Sequence, residues 1–383
     1  MYLYIGNRKA DGGIGVCAFN QESGAARLLK NEYKDLGIHV GCICPSPAHS
    51  VVYVTDECEE LLGFPGGGGG RIFTFRVSAE NGSLTLIGEL PSFGAKPSYL
   101  ETDFEGKFLL ASNHGGRGVV TVTERDDEGN IRIRTVCDES SVVLFPVMND
   151  GTPGGPADLF RISGSGPRFF QRGPHAHMVK RAPERNFYLV CDKGGDQLYG
   201  FSVDSEKGCL CPVFKEPKKT DSGFAPRYAA FHPKKPWVYV NHEAETVLSQ
   251  YEYGESGEFW LREMIRVLPS ERMPTDSLVL SDLCMNQEGD RLYTLLRVVN
   301  RLCVFRVEQD TGKLSLLCEK ETPGGGRAMA FSSDGRFLAV SYMEEGRVEV
   351  YRVGTDGVPE EITAVISQPS PSFLLFYGEK ERK

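Results

Sequence analysis

Residues 223–253 read GFAPRYAAFHPKKPWVYVNHEAETVLSQYEY. The stretch divides into an apolar run, APRYAAFHP, and a turn built on Lys234, Lys235 and Pro236. A second apolar run ending in polar groups, WVYVNHE, follows, and then an alternating run, TVLSQYEY. Proline sets a turn, and period-two alternation marks a half-buried strand. The unit is therefore strand, turn, strand with a polar tip, strand.

Working outward, the same unit recurs over almost the whole chain. Residues 39–57 carry HVGCICPSPAHSVVYVTDE, followed by RIFTFRV at 71–77. Residues 96–116 carry KPSYLETDFEGKFLLASNHGG, followed by GVVTVTERDDEGNIRI at 118–133. Further copies start at His175, at Leu280 and at Gly326. DFEGKF, NQEGDR and SSDGRF place an acid and a glycine at a hairpin between apolar strands. The first segment, YLYIGNR, lacks the strand that precedes its counterpart elsewhere, and the end of the chain, SFLLFY at 372–377, has a strand to spare. The two complete one blade. These features predict an all-β, seven-bladed β-propeller of four-stranded antiparallel blades, a single domain over 1–383, closed by the C-terminal strand joining the N-terminal blade.

Composition agrees and narrows the function. Forty-four glycines and 22 prolines suit short strands and many turns, and a net charge of −9 argues against a nucleic-acid groove over the surface. No apolar run reaches transmembrane length. Eleven cysteines, scattered and often at strand positions, fit buried thiols in a reduced, cytoplasmic protein. Two regions break the spacing. Residues 57–71 hold a glycine run without the Gly-Lys-Ser/Thr ending of a phosphate loop, and are expected to extend a hairpin. Residues 136–174 form a longer insertion, expected on a face of the ring, where it covers the pocket mouth or serves only as a contact loop.

The repeats align chemically active positions. Where the strand nearest the axis begins stand His175, His177, Arg227, Asp282 and Arg327. Where the next strand ends stand Asn7, Asp56–Glu57, Asn113–His114, Asp192–Lys193, Asn241–His242–Glu243, Arg297 and Ser341–Tyr342. The start of one antiparallel strand and the end of the next share an edge, so both sets meet on one face of the ring. His39, Cys42, Cys44 and His49 have the look of a metal cluster, but the register puts the cysteines on an inner strand and His49 in a turn, so no metal is expected there. No nucleophile-elbow serine occurs in a fitting context.

The motifs GPHAHMV (173–179), GFAPRYAAFHP (223–233), YVNHEAETV (239–247) and NQEGDRLYTLLR (286–297) carry a resemblance. The chain resembles the lactonase family of seven-bladed propellers, which includes 6-phosphogluconolactonases and carboxymuconate lactonising enzymes. The resemblance implies a site with a histidine of the Pro-His-x-His strand, His175 or His177, as base. It implies Arg227 and Arg297 as anion-binding or oxyanion-stabilising groups, and Glu243 as an acid or water-orienting group, with His242 competing for its place. Tyr228 stands where the family has histidine, Leu295 and Leu296 where it has Ser-Asn, and His114 where it often has tyrosine. With the register, this gives His177, His175, Glu243 and Arg297 as expected catalytic residues, and Arg227, His242, Arg327, Asn113, His114 and Lys193 as expected substrate contacts. The expected ligand is a small anionic sugar lactone or organic acid, with no metal or organic cofactor, nucleic acid or membrane. Hydrolysis of 6-phosphogluconolactone leads, with cyclisation of an unsaturated dicarboxylate and non-catalytic binding as the alternatives.

Overall fold

The computed structural model describes residues 1–378 apart from 62, 65, 117, 255–256 and 273–276. Among these residues helix is confined to two 3-10 turns, Lys34–Leu36 and Ser270–Arg272. The strands form seven radial sheets. From the axis outward, blade 2 is Val40–Pro45, Val51–Asp56, Arg71–Val77 and Leu84–Pro91. Blade 4 begins with Ala176–Arg181, Tyr188–Asp192 and Gln197–Asp204. Blade 5 is Pro226–Phe231, Trp237–His242, Val247–Tyr253 and Phe259–Arg266. Blades 6 and 7 repeat the order from Leu280–Met285 and Gly326–Phe331. Blade 1 takes its innermost strand, Pro371–Tyr377, from the end of the chain, paired antiparallel to Tyr2–Asn7. The innermost strands of successive blades touch in one closed cycle, from blade 1 round to blade 7 and back.

Each blade is covered on both faces by its neighbours, which explains why second strands such as Val51–Asp56 and Trp237–His242 are buried throughout, while outer strands such as Phe259–Arg266 are mostly exposed. A tyrosine at the third position of four second strands links blades. The hydroxyls of Tyr4, Tyr53, Tyr239 and Tyr293 each donate to a glycine carbonyl in an outer turn of the next blade, at Gly82, Gly151, Gly312 and Gly357, over 2.6–2.9 Å. All four glycines have positive φ, where a side chain would be strained.

Blade 3 departs from expectation. GVVTVTERDDEGNIRI does not supply its outer strands. Val119–Arg125 and Ile131–Cys137 form a separate two-stranded hairpin, and the blade is completed by Ser140–Pro146 and Asp158–Ile162, from within the expected insertion. The reason is burial. SSVVLFP offers an unbroken apolar run for a strand covered on both faces, whereas Ile131 and Ile133 on the hairpin are exposed. Of the insertion, residues 163–174 remain outside a strand and pack on the rim, where Gln171 donates to the Lys193 carbonyl at 2.8 Å. The glycine run turns back through a Glu60–Gly68 bridge, with residues 62 and 65 of the expected extension outside the described set.

Candidate active site

Two repeated backbone features bring side chains to one mouth of the channel. The first is a bulge at the start of every innermost strand. Pairing skips Ser372, Ser98, His177, Arg227 and Arg327 singly, and the pairs Gly41–Cys42 and Ser281–Asp282. A bulged residue is freed from the ladder and its side chain is re-aimed, here toward the axis. In blades 1, 3 and 6 the skipped serine spends its hydroxyl on the adjacent blade: Ser372 donates to the Val40 carbonyl at 2.6 Å, Ser98 to His177 at 2.8 Å, and Ser281 to Gly326 at 2.7 Å. In blades 4, 5 and 7 the same position holds His177, Arg227 and Arg327.

The second feature is the residue just after each second strand. Its N–H donates to the carbonyl of a residue at or just before the start of the innermost strand in all seven blades: Arg8 to Ser370, Glu57 to His39, His114 to Lys96, Lys193 to His175, Glu243 to Ala225, Arg297 to Val279 and Met343 to Gly325, over 2.8–3.1 Å. Strand alternation then separates neighbours. The residue before it turns back into its own blade. Asn113 donates to the Ser92 carbonyl and the Ser141 hydroxyl, and His242 meets the Ser249 hydroxyl at 2.7 Å. Asn113 and His242 are thus fully buried away from the cluster, and burial holds the His242 imidazole neutral, its pKa pushed down to about 3.

At the centre is Glu243. One carboxylate oxygen accepts from Lys193 Nζ at 2.7 Å, and the other accepts from Arg297. Arg227 Nε lies 3.3 Å from that second oxygen but out of line for a hydrogen bond. Burial raises the Glu243 pKa, but Lys193, Arg297 and Arg227 outweigh it and hold the carboxyl well below its usual range. Lys193 is pulled the other way, chiefly by burial and by Arg227, with Glu243 opposing, to about 8. Arg227 is 1% exposed, and none of its three guanidinium nitrogens has a hydrogen-bond partner among the described residues. Arg327 forms no hydrogen bond or ion pair among them, and burial, Arg227 and Arg8 push its pKa down to about 9.

His177 lies beside these cations. Its ring is 5.3 Å from that of Tyr228 and 5.9 Å from that of His114. Nδ1 is buried without a partner, which leaves Nε2 to meet solvent or substrate. Burial, Arg227, Lys193, His114 and Arg327 hold its pKa well below 6.5, so it is neutral at pH 7. His175 stacks on His114 at 4.3 Å and donates from Nδ1 to the His114 carbonyl at 3.1 Å. It faces a cavity of about 230 Å³ lined by Val119, Cys137, Phe169 and Phe170, outside the cation cluster.

Sequence reasoning missed Arg8, and it placed Glu57 on this face without giving it a role. They form a two-pronged ion pair, and Glu57, despite burial, is held low by Arg8 with help from Arg327 and Arg227. Both occupy the position that Glu243 occupies in blade 5, so one register carried round all seven blades would have found Arg8. Asp282 points elsewhere. It accepts from the Met329 and Leu283 N–H groups, and burial raises its pKa. Even counting Asp282, Arg8, Lys193, Arg227, Arg297 and Arg327 outnumber the carboxylates, so the mouth carries an excess of positive charge.

The chain is similar to known proteins over most of its length. The 6-phosphogluconolactonase of Bacillus subtilis is 24% identical over 377 residues, 97% of each chain. That of Yersinia enterocolitica is 24% identical over 292 residues, 76% of each. The fold matches the periplasmic gluconolactonase of Pseudomonas aeruginosa with a TM-score of 0.82 at 20% identity, covering 98% of this chain and 99% of that one. The sequence profile described as "Lactonase, 7-bladed beta-propeller" matches residues 2–376, and the chain belongs to that family.

Proposed function

We propose that the protein hydrolyses a sugar lactone bearing an anionic group, with 6-phosphogluconolactone the first substrate to test. The observation that carries this reading is Arg227, a buried guanidinium with no hydrogen bond, beside Arg327, which has no ion pair among the described residues. Burying guanidinium N–H groups without acceptors is costly, and the Glu243 carboxylate that Arg227 shares with Lys193 and Arg297 leaves them unfilled, so a substrate anion or a developing oxyanion supplies the missing acceptor. The names of the relatives support the reaction class.

In this reading His177 removes a proton from water as the water oxygen bonds to the lactone carbonyl carbon. Arg227 receives the resulting oxyanion, and Arg327 holds the anionic substituent. The tetrahedral intermediate collapses by breaking the acyl–oxygen bond of the ring. Lys193, poised near 8, protonates the departing alkoxide and is restored through solvent from the imidazolium. Glu243, kept ionised by three cations, is a poor proton donor. It positions Lys193 and Arg297 instead. Binding an anion also lifts the cationic field that depresses His177, so the base strengthens once substrate arrives.

The free state of all eleven cysteines supports a reducing compartment, the cytoplasm, which cell fractionation would check. The reaction is tested by following acid release from 6-phosphogluconolactone, with a carboxymuconate offered in parallel. Hydrolysis of the lactone above the spontaneous rate is expected. Turnover of the muconate alone would replace the assignment with a cyclising one.

A further inference from the structure

A second cluster of reactive side chains lies on the outer edge of blade 4, remote from the channel mouth. Asp204 ends the third strand, Cys209 opens the outermost strand, Cys209–Pro212, and the two residues pair across the hairpin. Cys211, two residues on, shares their face, while the intervening Leu210 is buried on the other. The two sulfurs are 4.0 Å apart, and with an Asp204 carboxylate oxygen the three ligand atoms lie within 4.8 Å of one another. All three residues are half-buried, and no disulfide joins the thiols. A tetrahedral ion with metal–sulfur bonds of about 2.3 Å holds its sulfurs about 3.8 Å apart, close to the spacing present.

The carboxylate is already oriented. Its Oδ1 accepts from the Glu206 and Lys207 N–H groups at 3.1 and 3.0 Å, and its Oδ2 lies 3.0 Å from Lys207 Nζ. Asp158 of blade 3, which accepts from the Leu210 N–H at 2.7 Å, adds negative charge beside the site.

We propose that Asp204, Cys209 and Cys211 bind a thiophilic divalent cation of the zinc class, with water in the fourth position. Two sulfurs select a soft ion over magnesium or calcium, which take oxygen. Each thiol gives its proton to solvent as its sulfur–metal bond forms, so two protons leave per ion and Lys207 swings off Oδ2. The ion staples a hairpin whose outermost strand is only four residues long.

The test is a titration of the full, reduced chain with cadmium, read by its ultraviolet thiolate charge-transfer band, with zinc followed by equilibrium dialysis. One equivalent per chain with release of two protons is expected. Cys209→Ser/Cys211→Ser should lose that equivalent, and Asp204→Asn should bind at least about 10-fold more weakly. Lys207→Ala should bind more tightly, and circular dichroism should show all variants folded. The proposal is overturned if the wild-type chain binds no equivalent at micromolar cadmium. It is equally overturned if the equivalent survives in the double serine variant, which would assign it to other thiols of the chain.

Discussion

Arg227 contributes more to the site than to the fold. Its guanidinium is buried without a hydrogen bond, and Glu243 keeps Lys193 and Arg297 when it is removed, so Arg227→Met should change stability by no more than about 1 kcal/mol while lowering kcat/KM by at least about 100-fold. Differential scanning calorimetry and kinetics on one preparation read both. Glu243 is the converse case. Glu243→Gln leaves Lys193, Arg297 and Arg227 facing one another without their counterion, and should destabilise by about 3–5 kcal/mol, seen as a fall in the urea midpoint. The pH profile follows from two depressed pKa values. His177 must be neutral to accept a proton. Its pKa is below 6.5, so kcat/KM stays high at pH 6.5 and falls only in more acidic solution. Lys193 must be protonated to donate, so kcat/KM falls as pH rises through about 8. Arg227, Glu243, Arg297 and His177 were legible as a group because equivalent repeat positions point the same way. The orientation of His242 was not, since choosing between two adjacent polar residues needs the residue at which the strand ends, and a shift of one reverses the face. Nor did the sequence reveal that Lys193 carries the lowered pKa, which comes from burial beside Arg227.

The blade is held in register by contacts that strand patterns only hint at. Tyr239→Phe removes one inter-blade hydrogen bond and leaves the buried Gly312 carbonyl without a donor, so it should cost about 1–3 kcal/mol with kcat/KM nearly unchanged. Equilibrium unfolding beside steady-state kinetics would separate this from a site effect. The recurring tyrosine in YLYIGN, VVYVTD, WVYVNH and RLYTLL was visible in sequence, but its partner was not, because that lies in another blade's outer turn, 64–98 residues away. The bulge that aims His177, Arg227 and Arg327 at the axis was equally hidden, as a skipped residue leaves the apolar pattern around it intact. Blade 3 shows the opposite error. The alternating, charged hairpin has the period of outer strands yet stands apart from the blade, and the continuous apolar run of SSVVLFP, the better signature of a strand covered on both faces, completes it.

At the scale of the molecule, function depends on closure. Arg8 follows the second strand of blade 1, whose innermost strand is Pro371–Tyr377, while Glu57, Lys193 and Glu243 come from blades 2, 4 and 5. A chain ending at residue 369 would leave Tyr2–Asn7 as an unpaired edge and open the ring. It should lose cooperative unfolding and aggregate, as size-exclusion chromatography would show. The closed ring was the most legible property, because the first repeat lacks what the last one has left over. The central claim is that one anion bridges groups from separate blades at a single channel mouth. A crystal structure with bound 6-phosphogluconate tests it most directly. The product is predicted to sit with an anionic oxygen hydrogen-bonded to Arg227 and its phosphate reaching Arg327, next to His177. Product bound at the opposite mouth, in the cavity of about 480 Å³ lined by Glu101, Lys180 and Arg181, would contradict it.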